Sequence, residues 1–149
     1  MNGEVVNSEW TFEASCEIPE MMGFAEGGDP IRDYRDLEVW KAGMALAKMA
    51  YKETAEFPRE ELYGLVSQMR RASVSIPANI AECFGRETTG AFIQFLRVAQ
   101  GSLKELETLA ELSNELGFLA EGVTESFNTK CRQLGKMLRG LIRSLERRN

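Results

Sequence analysis

The sequence predicts an all-α fold, an antiparallel up-down-up-down four-helix bundle whose second helix bends at a proline. Four long segments repeat apolar residues at spacings of three and four, which is the period of an amphipathic helix. The connections between these segments are short, and short connections place consecutive helices side by side in opposite directions. No segment alternates apolar and polar residues as a half-buried β-strand does, so a bundle is the expected fold class.

Helix 1 is predicted over residues 36–55, with Asp36 as its N-cap because a carboxylate there accepts hydrogen bonds from free backbone N–H groups. Its predicted core seam has heptad-like spacing and consists of Leu37, Trp40, Met44, Ala47 and Tyr51. Helix 2 is predicted over residues 60–84. A proline inside a helix removes one backbone hydrogen bond and clashes with the preceding turn, so we expect a bend near Pro77.

Helix 3 is predicted to begin after Thr88 or Thr89 as its cap and to end near Gly117. Its predicted seam consists of Phe92, Leu96, Ala99, Leu103, Leu106 and Ala110. Helix 4 is predicted to begin between Glu121 and Thr124, and its seam consists of Phe127, Cys131, Leu134, Leu138, Leu141 and Leu145. Glycines inside the predicted helices, at positions 43, 64, 101, 135 and 140, are interpreted mainly as points of close helix packing.

Residues 1–33 are predicted to form an acidic, mostly disordered N-terminal arm that precedes a bundle domain of residues 34–149. The arm holds eight acids and one base, whereas the last twenty residues hold seven bases and one acid. We therefore expect the arm to fold weakly over the basic end of helix 4 and to compete there with any bound anion.

Composition excludes several classes of function. The chain has no histidine, which removes Ser–His and Cys–His nucleophile pairs and the histidine ligands of di-iron bundles. Three widely separated cysteines favour free thiols and a cytoplasmic location, and no apolar run is long enough to span a membrane. The sequence therefore predicts a protein that is not an enzyme, with no catalytic residues, metal site or cofactor.

A polar stripe follows helix 2 at helical spacing and consists of Arg71, Ser75, Asn79, Glu82 and Arg86. It can be a solvated face with a Glu82–Arg86 ion pair, a subunit interface, or an active site. Gly101 and Ser102 are predicted to face helix 2 at the bend.

A basic row follows helix 4 opposite its leucine seam and consists of Arg132, Lys136, Arg139, Arg143 and Arg147. One interpretation is an ordinary solvated face, with Glu107 neutralising Arg132 and Glu105 neutralising Lys136 across the helix 3–helix 4 hairpin. The alternative is a phosphate-binding row that follows a nucleic-acid backbone. No aromatic residues interleave with the row, so stacking on single-stranded bases is not expected.

Three ordered blocks of the sequence resemble a known family. They are Asp36-Leu37-Glu38-Val39-Trp40, the stretch of residues 68–86 around Ser75-Ile76-Pro77-Ala78-Asn79, and residues 92–107 around Gly101-Ser102. Together they resemble the bacterial four-helix-bundle family of 23S rRNA intervening-sequence proteins over roughly residues 34–146. Cys83 stands where that family usually has glycine.

The resemblance implies a homo-oligomer, most commonly a ring-shaped pentamer, that is RNA-associated or ribosome-associated. The sequence adds an excess of apolar residues outside the predicted seams, namely Val39, Leu46, Met49, Ile93, Phe95, Leu109 and Leu112. The alternative function is a protein-interaction scaffold, which would resemble the pentameric accessory protein of diversity-generating retroelements and would partner a reverse transcriptase or another protein.

Overall fold

The computed structural model describes residues 31–147, and these residues form four α-helices joined by short connections. The helices are α1 (Glu38–Thr54), α2 (Ser67–Cys83), α3 (Thr89–Glu115) and α4 (Glu121–Arg147). Within this part of the chain there is no β-strand, so the predicted all-α four-helix fold is confirmed. The predicted arm, apart from its last three residues, lies outside the described residues.

The folded unit already includes the last residues of the predicted arm. Ile31 is buried in the core, and Asp33 caps a 3₁₀ turn formed by Tyr34–Asp36. The predicted N-cap role of Asp36 is wrong, because Asp36 closes the other half of this capping box by accepting hydrogen bonds from the backbone N–H groups of Arg32 and Asp33. The N-cap of α1 is Leu37, whose side chain makes no capping hydrogen bond.

The backbone is irregular in the connection between α1 and α2. A 3₁₀ turn (Arg59–Glu61) passes into a π-helical turn (Leu62–Val66), in which Gly64 has the non-helical angles φ −107° and ψ −113°. The Glu61 carboxylate accepts a hydrogen bond from the Leu65 backbone N–H at 3.1 Å. Helix 2 therefore begins as a regular α-helix at Ser67, seven residues later than predicted, and Gly64 belongs to a kink and not to a helix interior.

Pro77 lies inside α2, which continues through it from Ser67 to Cys83. Its backbone meets α1 at Gly43, where an added Cβ would lie 3.3 Å from the Pro77 nitrogen. Close packing is therefore confirmed at Gly43, whereas Gly101 and Gly140 are exposed and a Cβ on either would meet nothing within 4 Å. The bend at Pro77 stays a prediction.

Each helix packs against two neighbours in the cycle α1–α2–α3–α4–α1. Residue numbers rise along one helix as they fall along its neighbour in the three sequential pairs, so these neighbours run in opposite directions. Between α1 and α2, Gly43 meets Pro77 and Thr54 meets Arg70. Between α2 and α3, Ser75 meets Ser102 and Met69 meets Ser113. Between α3 and α4, Arg97 meets Glu146 and Glu111 meets Asn128.

The core confirms the predicted seam of helix 3 and corrects that of helix 1. All six predicted α3 residues are buried, and five of the six predicted α4 residues are, with Leu141 partly buried. On α1, however, Val39 and Leu46 point into the core, while Tyr51 is half-exposed and Met44 is only partly buried. Leu37 and Ala47 of the predicted seam are buried as well, so the buried face of α1 combines part of the heptad seam with the stripe of Val39 and Leu46.

This correction removes most of the apolar excess that was expected to support oligomerisation. Val39, Leu46, Ile93 and Leu109 are buried within a single chain, Met49 and Phe95 are partly buried, and Leu112 is about half-exposed. Other large apolar side chains are exposed instead, including Tyr51, Leu62, Tyr63, Val74, Val98, Leu116 and Met137. Across the described residues, no helix is both long and apolar enough to span a bilayer.

Candidate nucleic-acid interface

The predicted basic row lies on the outer face of α4. All five of its side chains are exposed, and they are Arg132, Lys136, Arg139, Arg143 and Arg147. The row spans residues 132–147, and the rise between its first and last residues corresponds to about 22 Å along the axis of an α-helix. The Arg139 guanidinium lies over Gly135, where an added Cβ would be 3.7 Å from a terminal nitrogen of Arg139.

Three acids near this row are bonded to other partners. Glu107 pairs with Lys104 at 3.0 Å, Glu146 pairs with Arg97 at 2.7 Å, and Glu111 accepts a hydrogen bond from the Asn128 side-chain amide. The expected Glu107–Arg132 and Glu105–Lys136 ion pairs do not form among the described residues. Among residues 31–147, no member of the basic row forms an ion pair.

One member of the row is held by a short-range contact. Arg132 donates a hydrogen bond to the Thr129 hydroxyl at 3.4 Å, one turn earlier on the same helix. This contact leaves the positive charge of the guanidinium without a counter-charge. The row therefore presents five cations to solvent or to a ligand.

The predicted polar stripe, which lies on α2 except for Arg86 in the connection after it, divides into an exposed part and a partly buried part. Arg71, Glu82 and Arg86 are exposed, whereas Ser75 and Asn79 are partly buried against α3. The predicted Glu82–Arg86 pair does not form among the described residues. Arg86 lies instead over the ring of Phe95, 4.3 Å from its centroid, which is a cation–π contact.

A polar network joins the centres of α2 and α3. The Asn79 side-chain amide donates to the Ser75 carbonyl at 2.7 Å and to the Ser75 hydroxyl at 3.0 Å. The Ser75 and Ser102 hydroxyls share a hydrogen bond at 2.9 Å. Ser102 thus faces α2 as predicted. Its neighbour Gly101 does not, because an added Cβ at Gly101 would meet nothing within 4 Å, so this glycine is not a point of close helix packing.

Trp40 belongs to a cluster of aromatic side chains at one end of the bundle. Its ring meets Tyr34 edge-on at a centroid distance of 5.5 Å, and Tyr34 also approaches Phe84 at 6.4 Å. Phe84 in turn packs against the buried Phe92 at 5.6 Å. Through these aromatic contacts, the 3₁₀ turn before α1 packs against the C-terminal end of α2 and the N-terminal end of α3.

A groove between α1 and α2 was missed by the sequence reasoning. It has a volume of about 310 Å³, and its lining residues are Tyr51, Arg70, Arg71, Val74 and Ser75. Arg70 was not singled out because its partners, Thr54 and Tyr51, lie on another helix. A contact between residues of two different helices cannot be predicted from the spacing of arginines along one of them.

The two described cysteines are buried free thiols, as predicted. Burial raises the pKa of both thiols, to about 12 for Cys131, and the Cys83 Sγ donates to the Ile80 carbonyl at 2.7 Å. Among the described residues, no group of three or more cysteine, aspartate or glutamate side chains is placed to hold a metal ion.

Comparison with known proteins identifies the fold and the family. No curated protein matches the chain. A solved structure of a protein of unknown function, from the S23 ribosomal protein family of Bacteroides thetaiotaomicron, matches with a TM-score of 0.63. Its 24% sequence identity, over 70% of this chain and 97% of that one, shows a shared fold. The model of the 23S rRNA-intervening sequence protein family matches residues 35–140, and the chain therefore belongs to that family.

Proposed function

We propose that this protein is a non-enzymatic, cytoplasmic, oligomeric binding protein that contacts RNA through the basic row of α4. The observation that supports it best is that five exposed cations follow one helix face, while Glu107, Glu111 and Glu146 are bonded to residues outside the row. Membership of the 23S rRNA-intervening sequence family adds an RNA context. The free thiols of Cys83 and Cys131 fit a reducing compartment.

Binding by this row would be electrostatic and would depend strongly on salt. Each phosphate neutralised by a cation releases condensed counterions, and five contacts to a duplex would give a slope of about −4.5 for log Kobs against log salt. The single aromatic residue of α4, Phe127, is buried, so this helix offers no ring on which bases could stack. Phosphate contacts are therefore expected to dominate, with little sequence preference.

The test is fluorescence anisotropy of labelled duplex and single-stranded RNA over a range of salt concentrations. The double variant Arg139→Gln/Arg143→Gln should make the duplex slope less negative by about 1.8, because two phosphate contacts are lost. The control is Lys48→Gln/Lys52→Gln, which removes two exposed charges at the same spacing from α1. Equal losses in both variants, or no RNA binding at all, would reject the proposed interface.

We also propose that the protein is a homo-oligomer, with a pentamer as the expected form. Exposed apolar side chains on α3, such as Val98 and Leu112, support an interface between copies. Light scattering at micromolar concentration is the test, and a mass near 16.7 kDa would contradict the proposal.

A protein-interaction scaffold is the second candidate. It is favoured by Tyr63, which is 92% exposed on the π-helical turn and therefore offers an aromatic side chain to a partner. Retention of one protein partner, such as a reverse transcriptase, at a salt concentration that removes all RNA would support this candidate over RNA binding.

A further inference from the structure

We propose that the groove between α1 and α2 binds a phosphate group through Arg70 and Arg71. The groove is open to solvent and has a volume of about 310 Å³. None of its lining residues belongs to α4. The inference therefore stands independently of RNA binding by the basic row.

Arg70 is held in position before any ligand arrives. Its Nε donates to the Thr54 hydroxyl at 3.0 Å, and its guanidinium carbon lies 4.6 Å from the centroid of the Tyr51 ring. The Thr54 hydroxyl donates in turn to the Ala50 carbonyl at 2.6 Å, which orients its lone pairs toward Arg70. These contacts occupy Nε and one face of the guanidinium, and within residues 31–147 its two terminal nitrogens make no hydrogen bond.

A positioned guanidinium is an effective phosphate ligand. Because stacking and the hydrogen bond already restrict the Arg70 side chain, binding an anion costs it little further conformational entropy. The planar arrangement of N–H donors also matches two oxygens of a phosphate at once.

The electrostatics of the groove favour a doubly charged anion. Among residues 31–147, neither Arg70 nor Arg71 forms an ion pair, whereas Arg35 and Arg97 each bind a carboxylate. None of the groove's lining residues is acidic. Two guanidinium groups without a counter-charge match a phosphate monoester, with its charge of about −1.5 to −2 and three acceptor oxygens, better than a carboxylate.

The remaining walls of the groove suit an organic group attached to the phosphate. Tyr51 and Val74 line it and are each about half-exposed, so both offer apolar surface beside the arginines. The phosphate can come from free inorganic phosphate or from a nucleotide or RNA end. Affinity for these ligands distinguishes the two sources.

The experiment is an NMR titration of the full chain, following the Arg70 side-chain Nε–H signal. Inorganic phosphate, adenosine monophosphate and acetate are added separately at matched ionic strength. Phosphate and the nucleotide should shift the signal saturably, and Arg71→Gln should weaken both by about tenfold or more, since it removes a charge-assisted contact. Lys48→Gln/Lys52→Gln removes two exposed cations that do not line the groove and should leave both affinities unchanged.

Arg71 is exposed, so its replacement tests the site without disturbing the packing that Arg70 makes with α1. Tighter binding of the nucleotide than of inorganic phosphate would support a nucleotide or RNA source, and equal affinities would support free phosphate. Acetate binding as tight as phosphate, no saturable shift, or an unchanged affinity in Arg71→Gln would overturn the proposal.

Discussion

An added Cβ at Gly43 of α1 would lie 3.3 Å from the backbone nitrogen and 3.4 Å from the Cα of Pro77 in α2. Both residues are buried, so the two helices make a close backbone approach at this crossing. Glycine in a helix interior costs about 1 kcal/mol relative to alanine. At this position the missing side chain permits the approach, which explains why a poor helix former is suitable here.

Gly43→Ala is expected to destabilise the protein by about 1 kcal/mol, although alanine favours the helix. The added methyl group would press on the Pro77 backbone, which cannot move aside as a flexible side chain can, and overpacking of this kind costs about 1–3 kcal/mol. Urea unfolding measures the change.

Gly140→Ala is the matched control for that substitution. Gly140 is exposed, and an added Cβ there meets nothing within 4 Å, so alanine should stabilise the protein by up to about 1 kcal/mol. If both substitutions shift the urea midpoint upward, the contact at Gly43 does not limit the packing of α1 on α2.

Pro77→Ala is expected to straighten α2 and disturb its fit against α1. The substitution restores a backbone N–H and removes a buried ring at the crossing with Gly43, so the gain in helix propensity is opposed by lost packing. Unfolding midpoints and light scattering should both change. A protein stabilised by about 3 kcal/mol with unchanged assembly would show that the proline has no structural role.

The seam of α3 could be predicted from the sequence because its six residues keep an unbroken run of four- and three-residue spacings, although Ile93 and Leu109 beside it are buried as well. On α1 the period alone could not choose between two apolar stripes. Leu46 is buried, while Tyr51 stays near the surface, where its ring supports Arg70. That choice depends on the register of α1 against α2, which a single helix does not encode.

The features of the candidate sites also differ in whether they could be predicted from the sequence. The basic row of α4 could be predicted because it lies opposite a leucine seam on one helix. The preference of Glu107 for Lys104 over Arg132 could not be predicted, since both bases were within plausible reach of the same carboxylate. The kink at Gly64 depends on the Glu61 side chain accepting the Leu65 N–H, which spacing rules do not include.

Stability is expected to fall as pH rises above about 9. Burial raises the pKa of the Cys131 thiol from 9.0 to about 12, and raises that of Cys83 as well. The stabilising effect is complete below the ordinary thiol pKa and is lost as pH rises through the folded-state pKa, because only the unfolded chain releases these protons at intermediate pH. Urea midpoints between pH 8 and 11 measure the slope.

Cys131→Ala separates the thiol contribution from that of lysines and tyrosines, which also titrate in this range. The variant should lose less stability between pH 8 and 11 than the parent protein, even if it is less stable at every pH. Parallel curves for the two proteins would exclude Cys131 as a source of the slope.

Deleting residues 1–30 is expected to tighten RNA binding at low salt. These residues hold seven acids and no lysine or arginine, so they can compete with RNA for the basic row of α4. The deletion keeps Ile31 in the core and Asp33 in its capping box. The gain should shrink as the Debye length falls below about 8 Å, and equal affinities at low salt would reject the competition.

The hydrogen bond between Ser75 and Ser102 also bears on the uniqueness of the fold. A shift of α3 along α2 by one helical turn, about 5.4 Å, would exchange one set of leucines and isoleucines for another at little cost in apolar contact. The same shift would separate the two hydroxyls and leave Ser102, which is buried, without its partner across the helices. Just as a single polar residue fixes alignment in a coiled coil, this pair of small side chains selects one vertical alignment of the two helices.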